Sequence, residues 1–272
     1  MTNLNRREFL KYAGIGATIM SLPAAKGVKA VAVNHLSYQS ADYKKTRDFY
    51  VDLLGFQASN EDQNQLYLWA GDVMISAKNT PKATSPLIDH FGFTLDKWDV
   101  KAVQAALKER SLEGAESRND ANQKSVLTKD PNRYGVQLCA KDLEVRPAPV
   151  TSRAPLKTIG VNHISYQCRD YKQTRDFYVE LLDVPVSNDD GKQAYLWFGD
   201  AFMVVRSSAN GTPALIDHIA WTLADWDKDR VVSELKKRGI DASPDADGKS
   251  ASIKDVNGYS VQLCSKDLVK RP

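Results

Sequence analysis

Two stretches decide how this chain is read: VNHLSYQSADYKKTRDFYVDLLGF at 33–56 and VNHISYQCRDYKQTRDFYVELLDV at 161–184. They are copies of one repeat. A second matched pair, LIDHFGFTLDKWD at 87–99 and LIDHIAWTLADWD at 215–227, keeps the same offset of 128 positions (163 − 35 and 218 − 90). The chain has 4 histidines, and all of them fall in these stretches. His35 is equivalent to His163, and His90 to His218. Histidine is the commonest metal ligand among side chains and a general acid or base near neutral pH. A shared purpose for the four is therefore the leading reading. Its rival, four buried histidines hydrogen-bonded in a sheet, must explain the same residue recurring at both places in both copies.

The first copy closes on AKDLEVRP (140–147) and the second on SKDLVKRP (265–272). The stretch APVTSRAPLKTIG between them carries Pro149 and Pro155 and reads as a linker. The organisation expected is a leader at 1–30, domains at 31–147 and 159–272, and a linker at 148–158. The offset falls to 125 before the last motif, so the second copy is three residues shorter in the polar stretch around 113–125. Within the first copy, 33–38 predicts a strand rich in β-formers. The stretch 42–54 predicts an amphipathic helix stopped by Gly55. A hairpin at 65–70 and 73–77 turns on Gly71-Asp72, with one further strand near 56–59. A strand at 87–94, a helix at 100–110 and strands at 125–128 and 134–139 follow. Each copy is thus itself a pair of β-α-β-β-β units, an α+β architecture.

The leader is different in kind. Asn5-Arg6-Arg7-Glu8-Phe9-Leu10-Lys11 resembles the twin-arginine export signal, followed by eleven apolar or small residues from Tyr12 to Leu22. A membrane-spanning helix needs about 20, so a cleavable signal is expected rather than a stable membrane anchor. Val28-Lys29-Ala30 and Pro23-Ala24-Ala25 are the two candidate cleavage sites. An uncleaved amphipathic helix is the alternative. The expected destination is the periplasm or exterior, reached through the twin-arginine machinery, which carries folded proteins. The whole chain has 37 Lys+Arg and 34 Asp+Glu. Removing 1–30 takes away five bases and one acid, leaving 32 against 33 and a net charge near −1. With no basic patch interleaved with aromatics, nucleic acid is not an expected partner. The three cysteines, Cys139, Cys168 and Cys264, make no disulfide framework and are expected to be free thiols.

The arrangement resembles the vicinal oxygen chelate superfamily, which includes glyoxalase I, extradiol dioxygenases, fosfomycin-resistance enzymes and bleomycin-binding proteins. The motifs that carry the resemblance are the histidine of the opening strand, the histidine of LIDH, and the closing KDPNRYGVQL (129–138), similar to the family's DPxGxxxEL. The resemblance implies tandem glyoxalase-like domains, each an open curved mixed sheet around a cleft that holds a divalent metal. Carried over position by position, the implied ligands are His35, His90 and Gln137 in the first copy. In the second they are His163, His218 and Gln262. The metal implied is Fe, Mn, Zn, Ni or Co. The site would lie within one copy, or be completed by the opening strand of the other, which would group His35 with His218 and Gln262.

Three departures bear on chemistry. Glutamine stands in both copies where the family has glutamate, which removes a negative charge from the ligand shell and leaves the ion more Lewis-acidic. The acid that glyoxalase I adds as a fourth ligand is missing from VMISAK and FMVVRS, apolar at Ile75 and Val204. The signature tyrosine of the extradiol dioxygenases is Leu127 in one copy and Ser252 in the other, and no histidine is left over for proton handling. Tyr67 and Tyr195 are the candidate proton donors, with Tyr38 and Tyr166 weighed beside them. Lys78 and Arg206 are candidate contacts for an anionic substrate. Trp98 and Trp226 are read as stapling helix starts. Strand alternation places Cys139 and Cys264 on the glutamine face, as cleft thiols or small buried residues, and turns Asp89 and Asp217 away from the adjacent histidines. The expected function is an exported metal-dependent enzyme acting on a small oxygenated substrate by enolate or oxyanion chemistry, as an isomerase, lyase or dioxygenase. The alternative is a metal-free protein that binds and sequesters a small molecule.

Overall fold

The computed structural model describes residues 27–80, 88–116, 123–208 and 212–271. The export signal at 5–22 and the earlier cleavage site lie outside the described residues. The first repeat runs β1 (Ala30–Ser40), α1 (Tyr43–Leu54), β2 (Gln57–Ser59), β3 (Gln65–Ala70) and β4 (Val73–Asn79). Its second unit runs β5 (Ile88–Leu95), α2 (Val100–Glu109), β6 (Ala115–Glu116), β7 (Ser125–Lys129) and β8 (Gly135–Cys139). The second repeat follows the same order. It comprises β9 (Thr158–Cys168), α3 (Tyr171–Leu182), β10 (Val186–Ser187), β11 (Gln193–Phe198) and β12 (Ala201–Ser207). After these come β13 (Leu215–Leu223), α4 (Lys228–Lys236), β14 (Ser243–Pro244), β15 (Ser250–Lys254) and β16 (Ser260–Cys264).

Each repeat makes one mixed sheet of eight strands, ordered β2-β3-β4-β1-β5-β8-β7-β6 and β10-β11-β12-β9-β13-β16-β15-β14. The two opening strands of a repeat lie side by side at the centre and antiparallel, β1 against β5 and β9 against β13. Each is flanked by a parallel partner, β4 or β8 in the first repeat. The pairing β1–β5 brings the two histidine-bearing strands of each repeat together.

Local chemistry explains the helices. Asp42 caps α1 by accepting from the amides of Lys44 and Lys45, and the buried face is Tyr43, Thr46, Tyr50, Leu53 and Leu54. Gly55 ends the helix with φ of 73°, a left-handed conformation that costs glycine nothing. In α3 the same place is held by Asp183 at φ 49°. One face of each sheet is apolar: Leu36, Ile75, Phe91 and Leu138 all belong to a core that runs without a break through both repeats. The stretch read as a linker contributes too. Leu156 is fully buried and its amide bonds the Leu53 carbonyl at the end of α1.

The repeats are joined by two equivalent contacts. Asp255 accepts from the hydroxyls of Tyr38 (2.6 Å) and Tyr50 (3.3 Å), and from the amides of Asn257 and Tyr259. Asp130 receives Tyr166 (2.6 Å) and Tyr178 (3.3 Å) in the same way, with the amides of Asn132 and Tyr134. Asn257 and Asn132 add bonds to Thr46 and Thr174. Tyr38 and Tyr166 are therefore not cleft residues. They follow the histidine by three positions, which places them on the opposite face of the strand, where they tie one repeat to the other. None of the three cysteines forms a disulfide, and all are buried. Burial pushes the Cys264 thiol up to about 12, so Cys139 and Cys264 are small core residues. Among the described residues no helix is long and apolar enough to cross a membrane.

Candidate metal centre

On the face away from the core, β1 presents His35 and Ser37, β5 presents His90, and β8 presents Gln137. Registers align them: His35 lies opposite Gly92, and Gly92 opposite Gln137. The imidazoles meet edge to face, with Nε2 of His35 3.3 Å from Nε2 of His90. In the second repeat the His163–His218 separation is 3.1 Å. Each site is thus built within one repeat, and His35 does not group with His218. Gln137 lies in the same row across the sheet, opposite Gly92, which itself lies opposite His35.

The pairing of β1 with β5 contains irregularities at Asn34 and at Asp89, and β9 with β13 contains them at Asn162 and Asp217. In each, two residues of one strand stand against one of the other, a β-bulge that re-aims a side chain. One bulge precedes every histidine. Their effect is to put the residue before each histidine on the histidine's own face. Asn34 Oδ1 accepts from His35 Nδ1 at 2.8 Å and Asn162 Oδ1 from His163 Nδ1 at 2.9 Å. Asn34 is held in turn by Thr94. Asp89 Oδ1 stands 2.9 Å from His90 Nδ1, and Asp217 Oδ2 3.5 Å from His218 Nδ1. The expectation that Asp89 and Asp217 point away is therefore corrected: regular alternation fails at a bulge. Sequence reasoning missed Asn34 and Asn162 altogether, although the dipeptides Asn-His and Asp-His recur in both copies.

These partners set the tautomers. An amide oxygen can only accept, so the ring proton of His35 and His163 is drawn to Nδ1, and the carboxylates beside His90 and His218 favour the same tautomer. Both Nε2 atoms then carry bare lone pairs facing one another at hydrogen-bond distance. That arrangement is repulsive unless a cation, or one added proton, sits between them. Two imidazole nitrogens about 2.1 Å from one tetrahedral ion would stand about 3.4 Å from each other, close to the 3.3 and 3.1 Å found. Burial, and then repulsion from His90, lowers the His35 pKa to about 3; burial and His218 do the same for His163. Both stay neutral and able to ligate. For Asp89, burial opposes ionisation, but the hydrogen bond and charge of His90, with Ser37 and Lys78, carry its pKa down to about 2.

Among the described residues no three His, Cys, Asp or Glu side chains converge on a metal position. The glutamine in the same row across the sheet is the candidate third ligand. Gln262 fits that role: its Oε1 is buried without a hydrogen-bond partner among the described residues. The residues present suit a divalent ion held by two imidazoles and an amide oxygen.

The surroundings of the two sites differ. Along β4 the histidine face carries Met74, Ser76 and Lys78; along β12 it carries Phe202, Val204 and Arg206. Ile75 lies on the core face instead, so the residues to compare with a fourth glyoxalase ligand are Met74, Ser76, Phe202 and Val204. None is an acid. Leu127 and Ser252 lie opposite Gln137 and Gln262. Arg206 is ion-paired to Asp217, whereas Lys78 makes no ion pair among the described residues and acts on His35 and Asp89 through its charge. Tyr67 donates to Glu144 (3.1 Å), and burial beside that carboxylate pushes its hydroxyl up to about 12. Tyr195 stacks on Phe202, which stacks on His163. Both tyrosines share the histidine face. A cavity of about 490 Å³ is lined by Asn34, Trp69, Thr94, Lys141, Glu144 and Arg146 among others. Trp98 and Trp226 precede α2 and α4, and their indoles bond the carbonyls of Gln123 and Gly248.

Residues 32–138 match the family model described as Glyoxalase/Bleomycin resistance protein/Dioxygenase superfamily. The metallothiol transferase FosB of Staphylococcus haemolyticus is 26% identical over 124 residues, 41% of this chain and 87% of that protein. The Mn(II)-bound glyoxalase from Novosphingobium aromaticivorans superposes with a TM-score of 0.70 at 16% identity, covering 88% of this chain and 83% of its own. Homoprotocatechuate 2,3-dioxygenase from Arthrobacter globiformis gives 0.72 at 17%, covering 89% and 82%. The structural likeness extends across both repeats.

Proposed function

Residues 32–138 form a domain of the Glyoxalase/Bleomycin resistance protein/Dioxygenase superfamily, repeated in fold by the second half of the chain, and from that premise we propose that the protein is a metal-dependent enzyme. It acts on a small oxygenated substrate by enolate or oxyanion chemistry, of isomerase, lyase or dioxygenase type. The observation that carries this reading is the pair of facing histidine Nε2 atoms in each repeat, 3.3 and 3.1 Å apart. In the first repeat His35, His90 and Gln137 hold the ion; in the second, His163, His218 and Gln262. A divalent ion bound there supplies Lewis acidity for two adjacent substrate oxygens.

The protein's own groups do the rest. Asn34 and Asp89 fix the ring orientations, which second-shell acceptors do at metal sites generally. Lys78 offers a cation to an anionic group of the substrate. Tyr67, protonated at neutral pH with its hydroxyl donating to the Glu144 carboxylate, is the candidate proton donor. Tyr195 has no such carboxylate, since Val269 packs there with Phe202. The two repeats therefore differ in what holds the candidate tyrosine.

Export through the twin-arginine pathway to the periplasm belongs to the same proposal, supported by the RRxFLK spacing at 6–11. Val28 packs on the core, the Lys29 carbonyl accepts from Asp96, and Ala30 begins β1. Cleavage after Ala25 leaves that strand whole; cleavage after Ala30 does not. The test is metal analysis of the full chain with His35→Ala and His163→Ala. Two ions for the parent and one for each variant are expected. Folded protein without metal would overturn the enzyme reading in favour of a binding protein.

A further inference from the structure

The amide of Gln262 is held in one orientation. Its Nε2 donates to Asp245 Oδ2 at 2.7 Å and to Ser250 Oγ at 3.0 Å, while Ser250 itself donates to the same Oδ2. A carboxylate has no proton to give, so the nitrogen of Gln262 must face Asp245 and the oxygen must face away. That oxygen is the buried atom without a partner. Gln262 lies beside Ala220, and Ala220 opposite His163, so the three form one row across the sheet. The Asp245 charge also acts on His163. Asp245 sits between β14 and β15, in a loop no ligand motif includes.

We propose that Asp245 is the positioning residue of the second metal site, turning the neutral Gln262 oxygen-first toward His163 and His218. A carboxylate drawing on the amide N–H also shifts electron density onto the amide oxygen, so the pair stands in for the glutamate that the family motif carries at this position. This rests on the metal reading of the site. Replacing Asp245 by Asn removes the constraint, because an asparagine can donate and Gln262 can then invert.

The test uses the full chain carrying His35→Ala and His90→Ala, so that only the second site can bind, with Mn(II) titrated calorimetrically. Unfolding midpoints of each variant are measured alongside. In that background Asp245→Asn and Asp245→Ala should weaken Mn(II) about ten- to hundredfold, as loss of an outer partner does elsewhere. The exchange Asp245→Asn with Gln262→Glu puts the carboxylate on the ligand and the amide behind it, and should recover binding to within about threefold. A merely structural role for Asp245 would not be rescued by that exchange. Parent-like binding in Asp245→Ala, or an exchange no tighter than Asp245→Asn alone, overturns the proposal while leaving the metal site standing. A background protein that binds no Mn(II) overturns both.

Discussion

Replacing Gly92 with alanine places a methyl group where the His35 imidazole lies. A Cβ built on Gly92 would stand 2.4 Å from His35 Cε1, 2.5 Å from Nδ1 and 3.1 Å from Nε2. Carbon contacts settle near about 3.5 Å, so the ring has to retreat by about 1 Å. Metal–ligand bonds tolerate about 0.2 Å. The displaced ring therefore leaves the shared position and also loses the 2.8 Å bond to Asn34. The expected loss in ion affinity at the first site is at least tenfold to hundredfold, or about 1.4–2.7 kcal/mol. Overpacking adds about 1–3 kcal/mol to the stability cost. The second repeat supplies an internal control. Ala220 already stands opposite His163 there, and the ring stacks on Phe202 at 5.0 Å instead. Calorimetric titration of Gly92→Ala should show one ion at parent affinity and one weakened. Unfolding midpoints with and without chelator separate packing from lost ligation. Two ions at parent affinity would refute the reasoning, for His35 would then not need the space over Gly92.

Other expectations follow from the same geometry. Asp89→Ala should weaken the first site about ten- to hundredfold without abolishing it, and Asp217→Ala should do the same at the second; equilibrium dialysis reads both. In the metal-free protein His35 and His163 resist protonation, with pKa values near 3 against 6.5 unfolded. The unfolded chain takes up protons that the native state refuses, so this stability is present above pH 6.5 and is lost as pH falls toward 3. At pH 5 the loss is about 2 kcal/mol for each residue, measurable by urea unfolding. Asp255→Ala leaves the buried hydroxyls of Tyr38 and Tyr50 without their acceptor, at about 1–3 kcal/mol each, and Asp130→Ala should match it. Little change in either midpoint would deny these carboxylates their joining role.

The repeat made much of this legible. Two copies of each histidine motif located the sheet centres, and the glutamine at the end of each closing motif fell on the histidine face. Alternation along a strand then misled, because it assumes regular pairing. Asp89, Asp217, Asn34 and Asn162 sit at bulges, and a bulge is a property of two strands in register, which neither strand shows alone. Tyr38 and Tyr166 pack in the core, the commoner place for strand aromatics, but what they do there was not legible. Their partners, Asp255 and Asp130, are 217 and 36 residues away, so only the packing of one repeat on the other discloses their role. Asp245 belongs to a loop whose length differs between copies, where the repeat gives no second example to read.

The reciprocal Tyr–Asp contacts have a further consequence. The first repeat carries both halves of the joint, Tyr38 with Tyr50 on one side and Asp130 on the other, and so does the second. Each half of the chain is therefore self-complementary, as a subunit of a twofold dimer must be. The protein is in effect a homodimer whose subunits have been fused, with 148–157 as the tether. The two copies differ around the candidate metal positions, Met74 against Phe202, Ser76 against Val204 and Glu144 against Val269, while the joint is the same on both sides.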